Sequence, residues 1–176
     1  MTQPDLQERF LTLVDDHRRI VYKICHSYCR NRDDRDDLAQ EIIVQLWRSF
    51  STFDDRYRFS TWMYRVALNV AISFYRRERT RARYVIAGYE SLLEIADDSV
   101  ESSMDEEVRE LYRLIDRLDE LNKALVLLHL DGHSYREIAD VLGISETNVA
   151  TKLSRLRKSM QQWVRDTAQD STGSPP

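Results

Sequence analysis

From Leu6 to Cys29 the apolar residues Leu6, Phe10, Leu13, Val14, Ile20, Val21, Ile24, Cys25 and Tyr28 recur every three or four positions, with Asp15, Asp16, Arg18 and Arg19 between them. That is the period of an amphipathic helix. Asn31 or Asp33 ends it and caps a second helix, whose stripe is Leu38, Ile42, Ile43, Leu46, Trp47 and Phe50. The first turn of this second helix is acidic, where the helix dipole favours carboxylates. STFDDRYRF then breaks the period as a loop. Ser60 caps a third helix with Trp62, Met63, Val66, Ala67, Val70, Ala71, Phe74 and Tyr75 on its apolar face, running out into Arg76, Arg77, Arg79, Arg81 and Arg83. Together these helices make one bundle of about 80 residues, a small domain.

The period is lost in AGYESLLEIADDSVESSMDEE, where Gly88 and a string of Ser, Asp and Glu interrupt it. A structureless stretch of about 20 residues is unusual inside one domain and fits a linker between two. Helical spacing resumes with Val108, Leu111, Leu114, Ile115 and Leu118, and Leu121 to Leu130 is apolar nearly all round, as a central helix would be. The stretch SYREIADVLGISETNVATKLSRLRKSM then places Ser134 as a cap, a helix to Leu142, Gly143 at a turn, Ser145 as a second cap, and a helix to about Trp163. Ala139 is small where two helices approach, Gly143 permits a positive φ, and Val149 is an apolar peg. This is the spacing of a helix-turn-helix. Ile138, Val141, Leu142, Ile144, Leu153 and Leu156 complete its core. Glu146, Thr147, Asn148, Thr151, Lys152 and Arg155 are left facing outward, suited to base edges and phosphates in a major groove.

The expected fold is all-α, with two small helical domains joined by an acidic flexible linker. A three-to-four-helix bundle occupies residues 1–80, the linker 81–104, the helix-turn-helix domain 105–165, and a disordered polar tail 166–176. Four Gly and three Pro in 176 residues supply too little turn chemistry for a many-stranded β protein.

Charge sharpens this division. The formal net charge of -4 conceals 16 Lys/Arg against 12 Asp/Glu in residues 1–83, 3 against 12 in 84–120, and 7 against 6 in 121–176. Two basic patches flank an acidic middle, so the average does not exclude a nucleic-acid partner. No apolar run approaches the roughly 18–20 residues of a membrane span, and MTQPDLQERF has no secretion-signal pattern. A cytoplasmic location is expected. Cys25 and Cys29 share a helix face, but structural zinc needs four ligands and His17, His129 and His133 are scattered. Reduced core thiols are the expectation, with neither metal nor cofactor.

DLAQEIIVQLWRSFSTFD, RFSTWMYRVALNVAISFYRR and SYREIADVLGISETNVATKLSRLRK, in this order and separated by an acidic stretch, resemble the extracytoplasmic-function sigma factors of bacterial RNA polymerase. The resemblance spans roughly residues 10–160. It implies a region 2 domain, a region 4 domain, and an interdomain linker threading the polymerase cleft. It also implies that Asp37, Gln40, Glu41, Ile43 and Trp47 dock on the beta-prime clamp of RNA polymerase core, with the beta flap as a second contact. Tyr57, Phe59, Trp62, Arg65, Asn69, Arg76, Arg77 and Arg79 would recognise and open the promoter -10 element, since bases leaving a duplex need π-faces and polar groups to replace lost stacking and pairing. The outward residues of the helix-turn-helix would read the -35 element. Ala150 and Lys152 depart from the more basic recognition helix of many relatives, which leaves the -35 sequence open. An anti-sigma factor is an expected partner beside polymerase and promoter DNA.

No glycine-rich phosphate loop, HExxH, GxSxG or paired-carboxylate constellation is present, so no enzymatic activity is expected. Two other functions fit parts of the chain. A stand-alone helix-turn-helix regulator would need a dimer interface and a palindromic site, and would leave DLAQE and FSTW as core. A helical adaptor that binds only protein would tolerate the loss of Lys152 and Arg155.

Overall fold

The computed structural model describes residues 3–84 and 105–172, and every regular element in them is helical. The chain divides between Arg109 and Glu110 into two compact units. The first contains α1 (Gln3–Asp16), α2 (Arg18–Tyr28), α3 (Arg32–Ser49), a 3-10 turn at Phe50–Thr52 and α4 (Phe59–Tyr84). α4 packs on both α2 and α3, which also touch each other. The seam holds Ile20, Ile24, Leu38, Ile42, Leu46, Met63, Tyr64, Ala67, Leu68, Ala71 and Phe74.

Two local expectations are corrected. The helix expected from Leu6 to Cys29 is two helices, broken at His17 (φ -112°, ψ 13°). His17 packs edge-on against Phe59, centroids 5.2 Å apart, and its Nδ1 lies 2.9 Å from the Leu13 carbonyl oxygen. This long-range ring contact accompanies the break without Gly or Pro to mark it. α4 starts at Phe59, with Arg58 O accepting from Thr61 N and Trp62 N, so Ser60 lies inside the helix and not at its cap. Tyr64, in the second turn of α4, is fully buried because it falls in phase with Ala67, Leu68 and Ala71. Between the two candidates for the second cap, Asn31 takes the place, its side chain accepting from Asp34 N at 2.8 Å.

The second unit holds most of α5 (Glu106–Asp116), then α6 (Glu120–Leu130), α7 (Tyr135–Leu142) and α8 (Glu146–Thr172). Asp119 caps α6 by accepting from Leu121 N and Asn122 N. Six successive residues of α6, Lys123 to Leu128, are buried, as a helix apolar on all sides requires. Lys123 reaches Asp116 at 3.2 Å, which pairs its charge inside the unit. Helix continues past Trp163 to Thr172, through residues expected in a disordered tail. Gln162 donates to Asp166 one turn on, and the first Gly or Pro after Gly143 comes only at Gly173. The expected linker is helical over 81–84, and its remainder to 104 lies outside the described residues.

Cys25 and Cys29 are free and buried. Burial, reinforced by Asp36 and opposed by Arg35, pushes the Cys25 thiol up from 9.0 to about 12. The fold therefore favours the neutral thiol. Its contribution to stability is whole below about pH 9 and declines as pH rises toward 12. At pH 8 a thiol reagent should label native protein only as fast as it unfolds, so labelling should track loss of helicity in urea. Complete labelling within seconds in native buffer would contradict this burial.

Candidate functional site

The helix-turn-helix is built locally. Ser134 caps α7 through a capping box, Oγ accepting from Glu137 N at 3.2 Å while the Glu137 carboxylate accepts from Ser134 N at 2.8 Å. Gly143 sits in the left-handed region at φ 68°, ψ 34°, and Gly143 N and Ile144 N both donate to Ala139 O. A Cβ there would meet nothing within 4 Å, so glycine is required by the backbone angle and not by space. Ser145 Oγ accepts from Asn148 N at the start of α8. Val149, fully buried, and Leu153 and Leu156 turn inward with Ile138, Ala139 and Val141.

The opposite side of α8 exposes Thr147, Asn148, Thr151 and Arg155, while Glu146 is exposed at its first turn and half-buried Lys152 flanks the core side. Lys158, absent from the expected site, is exposed three residues after Arg155 and seven after Thr151, which extends the same face. That spacing was available in the sequence. Thr151 Oγ1 donates to Thr147 O at 2.9 Å, which leaves the lone pairs of this exposed hydroxyl able to accept.

In the first unit, α3 buries Leu38, Ile42 and Leu46 and exposes Asp37, Gln40, Glu41 and Trp47, with Ile43 half-buried at the edge. Val44, 47% exposed, lies between Gln40 and Trp47 on this outer side and was missed by sequence reasoning. The signal was an apolar residue out of phase with the core stripe. Trp47 is 38% exposed and rests edge-on against Phe10 of α1, centroids 5.1 Å apart. The face thus combines carboxylates, an amide, an aliphatic residue and a supported indole.

The loop between the 3-10 turn and α4 presents Tyr57, 68% exposed. Phe59 does not join it. At 7% exposure it is core, in ring contact with His17, Phe50, Phe53 and Trp62, and cannot offer a face to a base. Trp62 is half-buried against Phe50, Phe53 and Phe59. Arg65, Asn69, Arg76 and Arg79 are exposed, and at about 100° per residue they fall along one side of α4. Arg77 leaves that row. Its Nη2 meets Glu41 Oε1 of α3 at 2.7 Å, and its guanidinium lies 5.0 Å from the centroid of the Phe74 ring. Glu41 and Arg77, expected on different interfaces, are therefore paired with each other. Both are half exposed, so their attraction is of the surface kind, about 0–1 kcal/mol. In the loop itself Arg56 closes on Asp54, and this hydrogen-bonded pair holds the Asp54 carboxyl below the usual range.

Residues 13–81 match the family described as sigma-70 region 2, and residues 108–160 match sigma-70 region 4. The chain belongs to the sigma-70 family, in its extracytoplasmic-function group. This sigma factor is 28% identical to the ECF RNA polymerase sigma factor SigW of Bacillus subtilis (strain 168), over 91% of each chain. Its fold is similar to that of CnrH, solved with the cytosolic domain of CnrY, at 22% identity and a TM-score of 0.66, covering 91% of this chain and 90% of that one. It is also similar to RpoE of Bartonella quintana, solved with the anti-sigma factor NepR, at 18% identity and a TM-score of 0.65, over 92% of this chain and 97% of the other. The matched segments include the α3 face, the loop and the helix-turn-helix. Among the described residues of this sigma factor no group of three or more His, Cys, Asp or Glu is placed to hold a metal, and no helix is long and apolar enough to cross a membrane.

Proposed function

We propose that this sigma factor divides promoter-directed initiation between its two units. The first, residues 1–80, docks on RNA polymerase core through Asp37, Gln40, Glu41, Ile43, Val44 and Trp47, and engages the -10 element through Tyr57, Trp62 and the Arg65, Asn69, Arg76 and Arg79 row. The second, residues 105–165, reads the -35 element with Thr147, Asn148, Thr151, Lys152, Arg155 and Lys158. The intervening residues connect them. One observation carries this division: a helix-turn-helix with a polar, basic outer face shares the chain with a second unit whose outer helix keeps Val44 and Trp47 exposed. Apolar and aromatic side chains among charges are the composition of a protein-binding surface, where a few anchors carry most of the energy.

The chain acts without chemistry of its own, as an initiation factor in the cytoplasm. An anti-sigma factor is its expected antagonist, supported by the complex in which the similar RpoE was solved. The deciding experiment is run-off transcription by purified core polymerase on a library of promoter fragments, with and without this chain. New starts that share two sequence elements at fixed separation are expected. If core gains no initiation while the chain alone shifts DNA, the role is that of a stand-alone regulator.

A further inference from the structure

The loop from Phe53 to Arg58 carries Asp54 and Asp55 close to Tyr57, although its proposed ligand is a polyanion. Two carboxylates there repel phosphates unless each is covered. Asp54 is covered from within the loop by Arg56, through Nε to Oδ2 at 2.8 Å, and its carbonyl accepts from Tyr57 N at 3.0 Å, so Asp54 to Tyr57 form a closed turn. Asp55 is covered from outside. Its Oδ1 accepts from Nη2 of Arg9, a residue of α1 46 positions earlier. The Arg9 guanidinium also lies 5.9 Å from the centroid of the Phe50 ring, and the adjacent Phe10 meets Phe50 and Trp47 edge-on at 5.2 and 5.1 Å. α1 therefore touches the exposed loop through Arg9 and the outer face of α3 through Phe10. Phe50, at the root of the loop, is common to both contacts.

We propose that Arg9 is a positioning residue for promoter opening: it cancels the Asp55 charge beside Tyr57 and ties the loop to α1, so that the loop meets the -10 strand in one place and without a bare carboxylate. Arg9 touches no base in this scheme and acts through Asp55. The proposal rests on the initiation role assigned to the loop.

The test uses the full chain reconstituted with core polymerase, on a promoter with 2-aminopurine in the -10 element, so that opening is read separately from core affinity and from binding of -35 DNA. Arg9→Ala should slow opening about two- to five-fold, the range of an exposed ion pair, and leave the other two readings unchanged. Adding Asp55→Asn should recover much of the rate by removing the uncovered charge. The exchanged pair Arg9→Asp with Asp55→Arg should recover it by rebuilding the tie. Opening unchanged in Arg9→Ala, or a loss that neither second substitution restores, overturns the proposal, the latter result assigning Arg9 a direct contact. Wild-type opening in the same assay tests the initiation role independently. Its presence with unaltered Arg9→Ala rates sinks this proposal alone, and its absence sinks both.

Discussion

Val149→Asp should unfold the helix-turn-helix and abolish binding to -35 DNA. Val149 is fully buried, α8 packs on α7, and Ile138 and Ala139 of α7 and Leu153 and Leu156 of α8 are buried with it. A carboxylate there has no charged partner among these side chains, and an uncompensated buried charge costs about 3–5 kcal/mol. A unit of this size holds about 3–10 kcal/mol in all, so the loss takes most of its stability. Hydrogen exchange of the full chain should show the amides of α6 to α8 unprotected, while those of α2 to α4 keep their protection. Thr147→Ala, on the outer face of the same helix, should change stability by less than about 0.5 kcal/mol and alter only DNA affinity. Unchanged protection in Val149→Asp would show that the peg is not what joins the two helices.

Val44→Glu should weaken binding to polymerase core at least about tenfold, since a charge set into the apolar centre of an interface costs on the order of 2 kcal/mol. The residue is nearly half exposed and its neighbours Gln40 and Trp47 are also at the surface, so the free protein should keep its unfolding midpoint. Fluorescence titration of core with labelled full chain reads the affinity, and a -35 DNA shift supplies the control that must not move. Trp47→Ala should produce a loss of similar size but with a small cost in stability, because the indole is also an edge partner of Phe10. Wild-type core affinity for Val44→Glu would remove this side of α3 from the docking surface and with it the assignment of Asp37, Gln40 and Glu41.

The pairing of Glu41 with Arg77 adds a constraint to the proposed docking face. Each was expected to serve a different partner, yet 2.7 Å separates them across α3 and α4. Docking through Glu41 would release Arg77. Because the pair is exposed and weak, that release costs about 1 kcal/mol at most, which sets an upper bound of about fivefold on any coupling it transmits.

The helix-turn-helix was legible almost residue by residue because its signals are local. Ser134 and Ser145 each cap the helix that begins just after them, Gly143 takes the positive φ that other residues avoid, and Val149 falls six positions after Gly143. The apolar stripe of α3 was equally plain, since Leu38, Ile42 and Leu46 repeat at the helical period and all three are buried. Periodicity has a blind spot at aromatic residues, which serve a core or a surface with the same side chain. Phe59, Trp62 and Trp47 looked alike in the sequence. One is buried, one half-buried and one an exposed ring propped on Phe10, and the difference arises from α1 and the loop folding over them.

The sequence by itself determined the all-helical class, the interrupted period that separates two groups of helices, the turn at Gly143 and the family, all of which depend on residues a few positions apart. Tertiary structure alone decided the break at His17, the burial of Phe59, the pairing of Glu41 with Arg77 and the closure of Arg9 on Asp55. The contacts His17–Phe59, Glu41–Arg77 and Arg9–Asp55 join partners separated by 42, 36 and 46 positions. Helical periodicity reports which side of a segment is apolar, but a contact between distant side chains depends on how two helices are rotated and placed against each other. That placement is set by the whole core at once, and no short window of sequence contains it.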